Sequence, residues 1–137
     1  MQPCTIVIFG ATGDLSQKKL LPALYHLQAE NRLTDDTRII CMGRKESSQQ
    51  EWQDLVTEYV TPRVRGGIDA DTLQTFLSKV HYFKCDINEA FSYHELKTLI
   101  TTPENGFSQN IVFYLSISPS LFSVVGDQLA AGGLNQE

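Results

Sequence analysis

Hydrophobic residues recur along the chain in short runs that are separated by longer amphipathic segments. The runs cover residues 5–9, 38–42, 80–85 and 111–116, and each is nearly continuous rather than alternating. Continuous apolar runs of this length are typical of strands that are covered on both faces. Because each intervening segment is long enough for a helix, the pattern predicts βαβ units and a parallel sheet.

The intervening segments predict helices over about residues 14–30, 49–60, 71–79, 89–100 and from Pro119, with Ser118 as cap, to Gly132. In the first helix, Leu20, Leu24 and Leu27 form a stripe beside Leu21, and we expect this stripe to lie against the sheet. Pro22 lacks a backbone donor and clashes with the carbonyl four residues earlier, so we expect a kink or a break near Lys18.

The order of these elements predicts an α/β fold, a Rossmann-like doubly wound parallel sheet. The 137 residues are about one domain in length. The pattern stops after about four strands and a helix, where a fifth strand would normally follow. We therefore expect residues 1–137 to be part of a longer domain.

Net charge, the length of the apolar runs and the cysteines limit the kinds of binding partner and cellular environment. A formal net charge of -5 argues against nucleic acid or an anionic membrane surface, although a local site can still bind a small anion. The apolar runs are far shorter than a membrane span, and we expect no signal peptide. Cys4, Cys41 and Cys85 lie in or beside strand-like runs without metal or redox spacing, so we expect buried thiols in a reducing cytoplasm.

A glycine-rich turn joins the first predicted strand to the first predicted helix. Gly10 can adopt the backbone angles of a tight turn, Gly13 allows close approach of a ligand, and Ser16 allows the helix to pack near the strand. Free N–H groups at the start of that helix favour a pyrophosphate, with the Asp14 side chain turned away or capping the helix. The G-x-x-G spacing alone is weak, and a plain structural turn is the alternative.

Basic residues follow the second strand. Dinucleotide sites place an acidic residue there for a ribose hydroxyl, or arginine for a 2′-phosphate. Here Arg44 can bind a phosphate in bidentate fashion and Lys45 adds charge, which favours NADP over NAD. The alternative is a solvated basic pair that is partly offset by Glu46.

The ends of the third and fourth strands carry further candidate ligand-binding residues. Asp86 and Ile87 follow the third strand and could border an adenine, and the segment 116–119 follows the fourth and could border the middle of the cofactor. Helix capping is the alternative at both places.

No catalytic constellation is complete. Tyr93 and Lys97 have the Tyr-x-x-x-Lys spacing of short-chain reductases but come one unit too early, so we interpret them as chance on a polar helix face. The histidines, His26, His81 and His94, lack metal-ligand spacing, and we expect no metal.

Four ordered motifs, GATGDLSQKKLLPAL, RIICMGR, KCDI and FYLSISPSLF, closely resemble the N-terminal coenzyme domain of the glucose-6-phosphate dehydrogenase family. The resemblance implies an N-terminal NADP-binding domain within a cytoplasmic, homo-oligomeric enzyme. Such an enzyme oxidises glucose 6-phosphate to 6-phosphogluconolactone in the pentose phosphate pathway. The family's substrate-binding segments and histidine base are absent from this chain, so we expect it to be inactive alone.

The resemblance also implies roles for individual residues. By position, the pyrophosphate would lie against Gly10, Thr12, Gly13, Asp14 and Leu15. Arg44 would hold the 2′-phosphate, Asp86 and Ile87 would lie by the adenosine, and residues Tyr114, Ser116 and Pro119 would flank the cofactor. Lys19 would point toward the nicotinamide and substrate, unless it is a solvated helix lysine.

Two other functions remain open from the sequence. One is a stand-alone NADP-binding or interaction module without catalysis. The other is a reductase that uses Tyr93 and Lys97, which requires both side chains to face the cofactor cleft.

Overall fold

The computed structural model describes residues 4–11, 13, 16–64, 66–102, 104, 106–108, 110–117 and 119–131. Its strands are β1 (Thr5–Phe9), β2 (Arg38–Gly43), β3 (Val80–Lys84) and β4 (Ile111–Leu115). Its α-helices are α1 (Leu21–Ala29), α2 (Gln49–Val60), α3 (Ala70–Lys79), α4 (Ala90–Thr101) and α5 (Phe122–Ala131). The predicted strand and helix segments are confirmed to within about a turn at their ends. The Gly132-Gly133 end of the last helix and its Ser118 cap lie outside the described residues.

The four strands form a parallel sheet in the order β3-β2-β1-β4. The chain runs outward from β1 to β2 and β3 and then returns to the other side of β1. This order places a topological switch point between β1 and β4, where open α/β sheets bind their ligands.

Helices cover both faces of the sheet, as the continuous apolar strands predict. Ile6 and Ile8 of β1 point into a core with α1, α2 and α3, which includes the fully buried Trp52. Val7 and Phe9 point into a second core with α4 and α5. The alternation of strand side chains between two apolar cores confirms the doubly wound architecture.

The first helical region is in two pieces, as Pro22 predicts. A π-helical turn covers Ser16–Leu20, and α1 begins at Leu21 with Pro22 in its first turn. The predicted stripe is confirmed in part, since Leu24 is buried and Leu20 and Leu27 are partly buried against the first core. The fully buried residues of α1 are Leu21, Pro22, Leu24, Tyr25 and Gln28.

Candidate functional site

The carboxyl ends of all four strands border one cavity of about 440 Å³. Its lining combines the glycine turn after β1 with residues at the ends of the other strands and one from the turn before α5. These residues are Phe9, Gly10, Gly13, Met42, Gly43, Arg44, Cys85, Ile87, Asn88, Ser116, Ile117 and Leu121. The cavity lies at the switch point, so fold and cavity indicate the same place for a ligand.

Gly10 lies in the turn after β1 and packs against the segment that follows β4. Its φ is +78°, and a Cβ at this position would lie 2.3 Å from the Ser116 carbonyl oxygen. Ser116 is fixed there because its N–H donates to the Phe9 carbonyl at 2.9 Å. Only glycine fits both the backbone angle and the space.

Gly13 connects this turn to the π-helical turn. Its N–H donates to the Gly10 carbonyl at 3.0 Å, and its carbonyl accepts from the Gln17 N–H at 3.0 Å. The Ala11 N–H donates to Met42 at 3.1 Å. The amides of Ala11 and Gly13 are therefore engaged within the protein. Thr12, Asp14 and Leu15, which the sequence assigns to the site, lie outside the described residues.

Two serine hydroxyls near the turn are buried without a partner among the described residues. They belong to Ser16, at the third small position of the glycine motif, and to Ser116, which lines the cavity. A buried hydroxyl is costly when it makes no hydrogen bond. The Ser116 hydroxyl therefore marks a polar contact that a ligand in the cavity can satisfy.

Arg44 lies at the mouth of the cavity and is exposed. It also lines a second cavity of about 570 Å³, between the end of β3 and the start of α4. Glu46, which the sequence suggests as a partial counter-charge for Arg44 and Lys45, instead lies 3.3 Å from the Lys84 ammonium. Within the described residues the Arg44 guanidinium has no ion pair, which leaves it available to an anion.

The structure separates the two residues after β3. Ile87 lines the cavity at the switch point, whereas Asp86 lines the second cavity beside Arg44. The Asp86 carboxylate accepts from the Asn88 N–H at 2.9 Å, so it also stabilises its own turn. Asp86 therefore closes a turn but does not form the helix cap of the alternative interpretation, because the N-cap of α4 is Glu89, which makes no side-chain cap hydrogen bond.

A third cavity of about 310 Å³ brings Lys19 to the end of β4. It is lined by Lys19, Leu20, Ala23, Tyr114, Leu115 and Ser116. Because Ser116 borders this cavity and the one at the switch point, the two are neighbours. Pro119 begins a short 3₁₀ turn and is exposed, and it is Leu121 from this turn that lines the switch-point cavity.

Cys85 is not an activated, thiolate-forming cysteine. Burial raises the pKa of the Cys85 thiol to about 11, so this cavity-lining side chain is neutral at physiological pH. The three cysteines are all buried and free, as expected.

Tyr93 corrects the interpretation of the Tyr-x-x-x-Lys spacing. It is not on a polar helix face but in the core, stacked on Phe9 with ring centroids 6.2 Å apart. Its hydroxyl donates to the Ile87 carbonyl at 2.9 Å, and burial raises its pKa. Tyr93 and Lys97 are absent from the lining of all three cavities described above, which argues against a reductase built on this pair.

Sequence reasoning missed several lining residues. Met42 lies at a strand end and could have been found from that position, whereas Leu121 reaches the cavity only through the turn before α5.

The described residues contain no His, Cys, Asp or Glu cluster that could hold a metal ion. None of the helices described is both long and apolar enough to cross a bilayer.

Comparison with known proteins gives consistent matches. The family described as "Glucose-6-phosphate dehydrogenase, NAD binding domain" matches residues 7–137. Glucose-6-phosphate 1-dehydrogenase of Mycolicibacterium smegmatis is 34% identical, in a match that covers 100% of this chain and 28% of that protein. The Zymomonas mobilis enzyme of the same name is 37% identical, in a match that covers 95% of this chain and 26% of that protein. A crystal structure of the Mycobacterium avium enzyme matches with a TM-score of 0.86 and 26% identity, over 98% of this chain and 28% of that one. The chain therefore spans about a quarter of the length of these relatives.

Proposed function

The chain belongs to the glucose-6-phosphate dehydrogenase family, whose NAD binding domain it matches, and on this basis we propose that it is the NADP-binding part of a longer enzyme. That enzyme would oxidise glucose 6-phosphate to 6-phosphogluconolactone and transfer a hydride to NADP. Residues 1–137 would be its N-terminal cofactor domain, and a further domain would bind the sugar.

The observation that carries this proposal is the convergence of four strand ends on one cavity behind the Gly10 turn. Gly10 permits the tight turn that borders the cavity, since a Cβ there would clash with the Ser116 carbonyl, and the unpartnered Ser116 hydroxyl offers a polar contact. Apolar side chains such as Ile87 and Ile117 suit flat rings. These features fit a dinucleotide better than a small inorganic anion.

We assign the candidate residues to successive parts of the bound cofactor. The turn of Gly10 and Gly13, together with Thr12, Asp14 and Leu15, would hold the pyrophosphate. Arg44 would bind the 2′-phosphate, Ile87 with the neighbouring Asp86 would border the adenosine, and Tyr114, Ser116 and Pro119 would flank the middle of the cofactor. Lys19, beside Tyr114 in the third cavity, would face the substrate.

The chemistry is a two-electron oxidation. In such an enzyme the anomeric carbon of the sugar would lose a hydride to bound NADP, and the proton of its hydroxyl would pass to a base. This chain's part is to bind and orient the cofactor. We propose that the base and the sugar-binding groups come from the rest of the longer protein, whose cytoplasmic location and homo-oligomeric assembly stay predictions.

The test is to assay the full-length protein with glucose 6-phosphate and NADP and to follow formation of the reduced cofactor. We expect turnover with glucose 6-phosphate and much less with unphosphorylated glucose. Tight NADP binding without turnover would favour the stand-alone binding module, and absence of both would refute the proposal.

A further inference from the structure

The ion pair of Lys84 and Glu46 lies beside Arg44. Lys84 Nζ and Glu46 Oε1 are 3.3 Å apart, and both side chains line the second cavity together with Arg44. The side chains are 56% and 84% exposed, so the pair adds little to stability. The pair matters instead because it offsets the negative charge of Glu46 close to Arg44.

The sheet register fixes this arrangement. Lys84 is the last residue of β3 and pairs with Gly43, which directly precedes Arg44. The Cys85 N–H donates to the Gly43 carbonyl at 2.8 Å and extends this pairing. The Lys84 side chain therefore starts next to the loop that carries Arg44 and Glu46.

The second cavity is acidic. Among its described lining residues, Glu46, Asp86, Glu89 and Glu95 carry carboxylates, whereas only Arg44 and Lys84 are basic. A 2′-phosphate is a dianion or close to it, so carboxylates near Arg44 oppose its binding. Glu46 is also the residue type that NAD sites place after the second strand to accept the ribose hydroxyl.

We propose that Lys84 is a positioning residue that sets the preference for NADP over NAD. By holding and neutralising Glu46, it prevents this carboxylate from repelling the 2′-phosphate at Arg44 and from accepting the 2′-hydroxyl of NAD. Lys84 thus acts through Glu46 rather than by touching the cofactor. This inference rests on the proposed function and adds to it the origin of cofactor selectivity.

The test is a double-mutant cycle on the full-length protein, with NADP and NAD affinities measured by calorimetry. K84M keeps the length of the side chain and removes its charge, and we expect NADP to bind about fivefold more weakly while NAD binds as well or better. In the E46Q background, the same K84M change should have almost no effect on either cofactor. K84R should retain the wild-type preference, and K97M, outside both cavities, provides a control for loss of one positive charge.

Each outcome is decisive. If K84M weakens NADP equally with Glu46 or Gln at position 46, Lys84 contacts the phosphate directly and the inference is wrong. Equal losses for NADP and NAD would indicate a structural role and overturn it too. If the unsubstituted protein binds NADP no better than NAD, the proposed function fails on cofactor choice and the inference falls with it.

Discussion

At the scale of single residues, Gly10 is under two separate constraints. Its φ of +78° disfavours any L side chain, and the Ser116 carbonyl occupies the space that a Cβ would need. We predict that Gly10→Ala lowers the free energy of unfolding by about 3 kcal/mol, of which ~1 kcal/mol comes from the backbone angle. Urea denaturation of the variant measures this loss.

Gly66→Ala is the matched control. Gly66 also has a positive φ, +82°, but a Cβ there would have no described neighbour within 4 Å. This change should cost only about 1 kcal/mol. Equal losses for the two variants would show that crowding against Ser116 does not matter.

His81 makes stability depend on pH. Burial lowers its pKa, with a further contribution from the nearby Arg38 charge, and its buried Nε2 has no partner among the described residues. The folded state therefore resists a proton that the unfolded chain accepts near its ordinary pKa of about 6.5. Stability should fall as the pH drops below that value, because only the unfolded state gains the proton.

His81→Phe tests this dependence. The phenyl ring can keep the edge-to-face contact with Phe107, whose centroid is 5.4 Å away. We predict that the loss of stability between about pH 7.5 and about pH 5.5 becomes smaller in this variant than in the wild type. The exposed His94→Phe change serves as control, and an unchanged pH profile in His81→Phe would contradict the assignment.

At the scale of elements, the outer edge of β3 is protected by a side chain. The Gln49 amide donates to the Val80 carbonyl and accepts from the Tyr82 N–H at 3.3 Å, so it satisfies backbone groups that an edge strand would otherwise expose. We predict that Gln49→Ala costs about 1 kcal/mol in urea denaturation. Gln50→Ala, which removes only a bond to Asp54 within α2, should cost a few tenths of a kcal/mol; similar losses would refute the role of Gln49.

The sequence predicts the elements well because their signals are local. Apolar runs define the strands, and Ser48 and Glu51 form the capping box that starts α2 at the predicted residue. The sequence places Leu24 on the buried face of α1 but misses Tyr25 and Gln28, since a helical period of 3.6 residues does not include the π turn over Ser16–Leu20. The pairing of Lys84 with Glu46 depends on sheet register, which a single sequence does not specify.

At the scale of the whole molecule, the two edges of the sheet differ. Beyond β4 no described strand pairs with the sheet, and Val112 and Tyr114 remain 39% and 43% exposed. Val112 and Tyr114 pair with Ile6 and Ile8, so they lie on the sheet face that α1, α2 and α3 cover over β1, and exposed apolar side chains on such a face are normally covered. This exposure supports the proposal that a further segment of the longer protein packs on this face beside β4.

Val112→Lys tests whether Val112 is exposed in the 137-residue chain but covered in the full-length protein. In the 137-residue chain the lysine would reach solvent, and we predict a change in stability of less than about 0.5 kcal/mol. In the full-length protein the same change should cost about 2 kcal/mol or more, because it buries a charge. The exposed Gln74→Lys change on α3 should be mild in both, and an equally mild Val112→Lys in the full-length protein would refute the covered face.

The most direct test of NADP binding at the switch point is a calorimetric titration of the full-length protein with NADP and NAD. The wild type should bind NADP at least about tenfold more tightly, because charge-assisted bonds from Arg44 reach only the 2′-phosphate. Arg44→Ala should abolish this preference and leave NAD affinity unchanged, whereas Arg63→Ala, in the 3₁₀ turn after α2, should preserve it. Equal affinities in the wild type, or a preference that survives Arg44→Ala, would contradict the account.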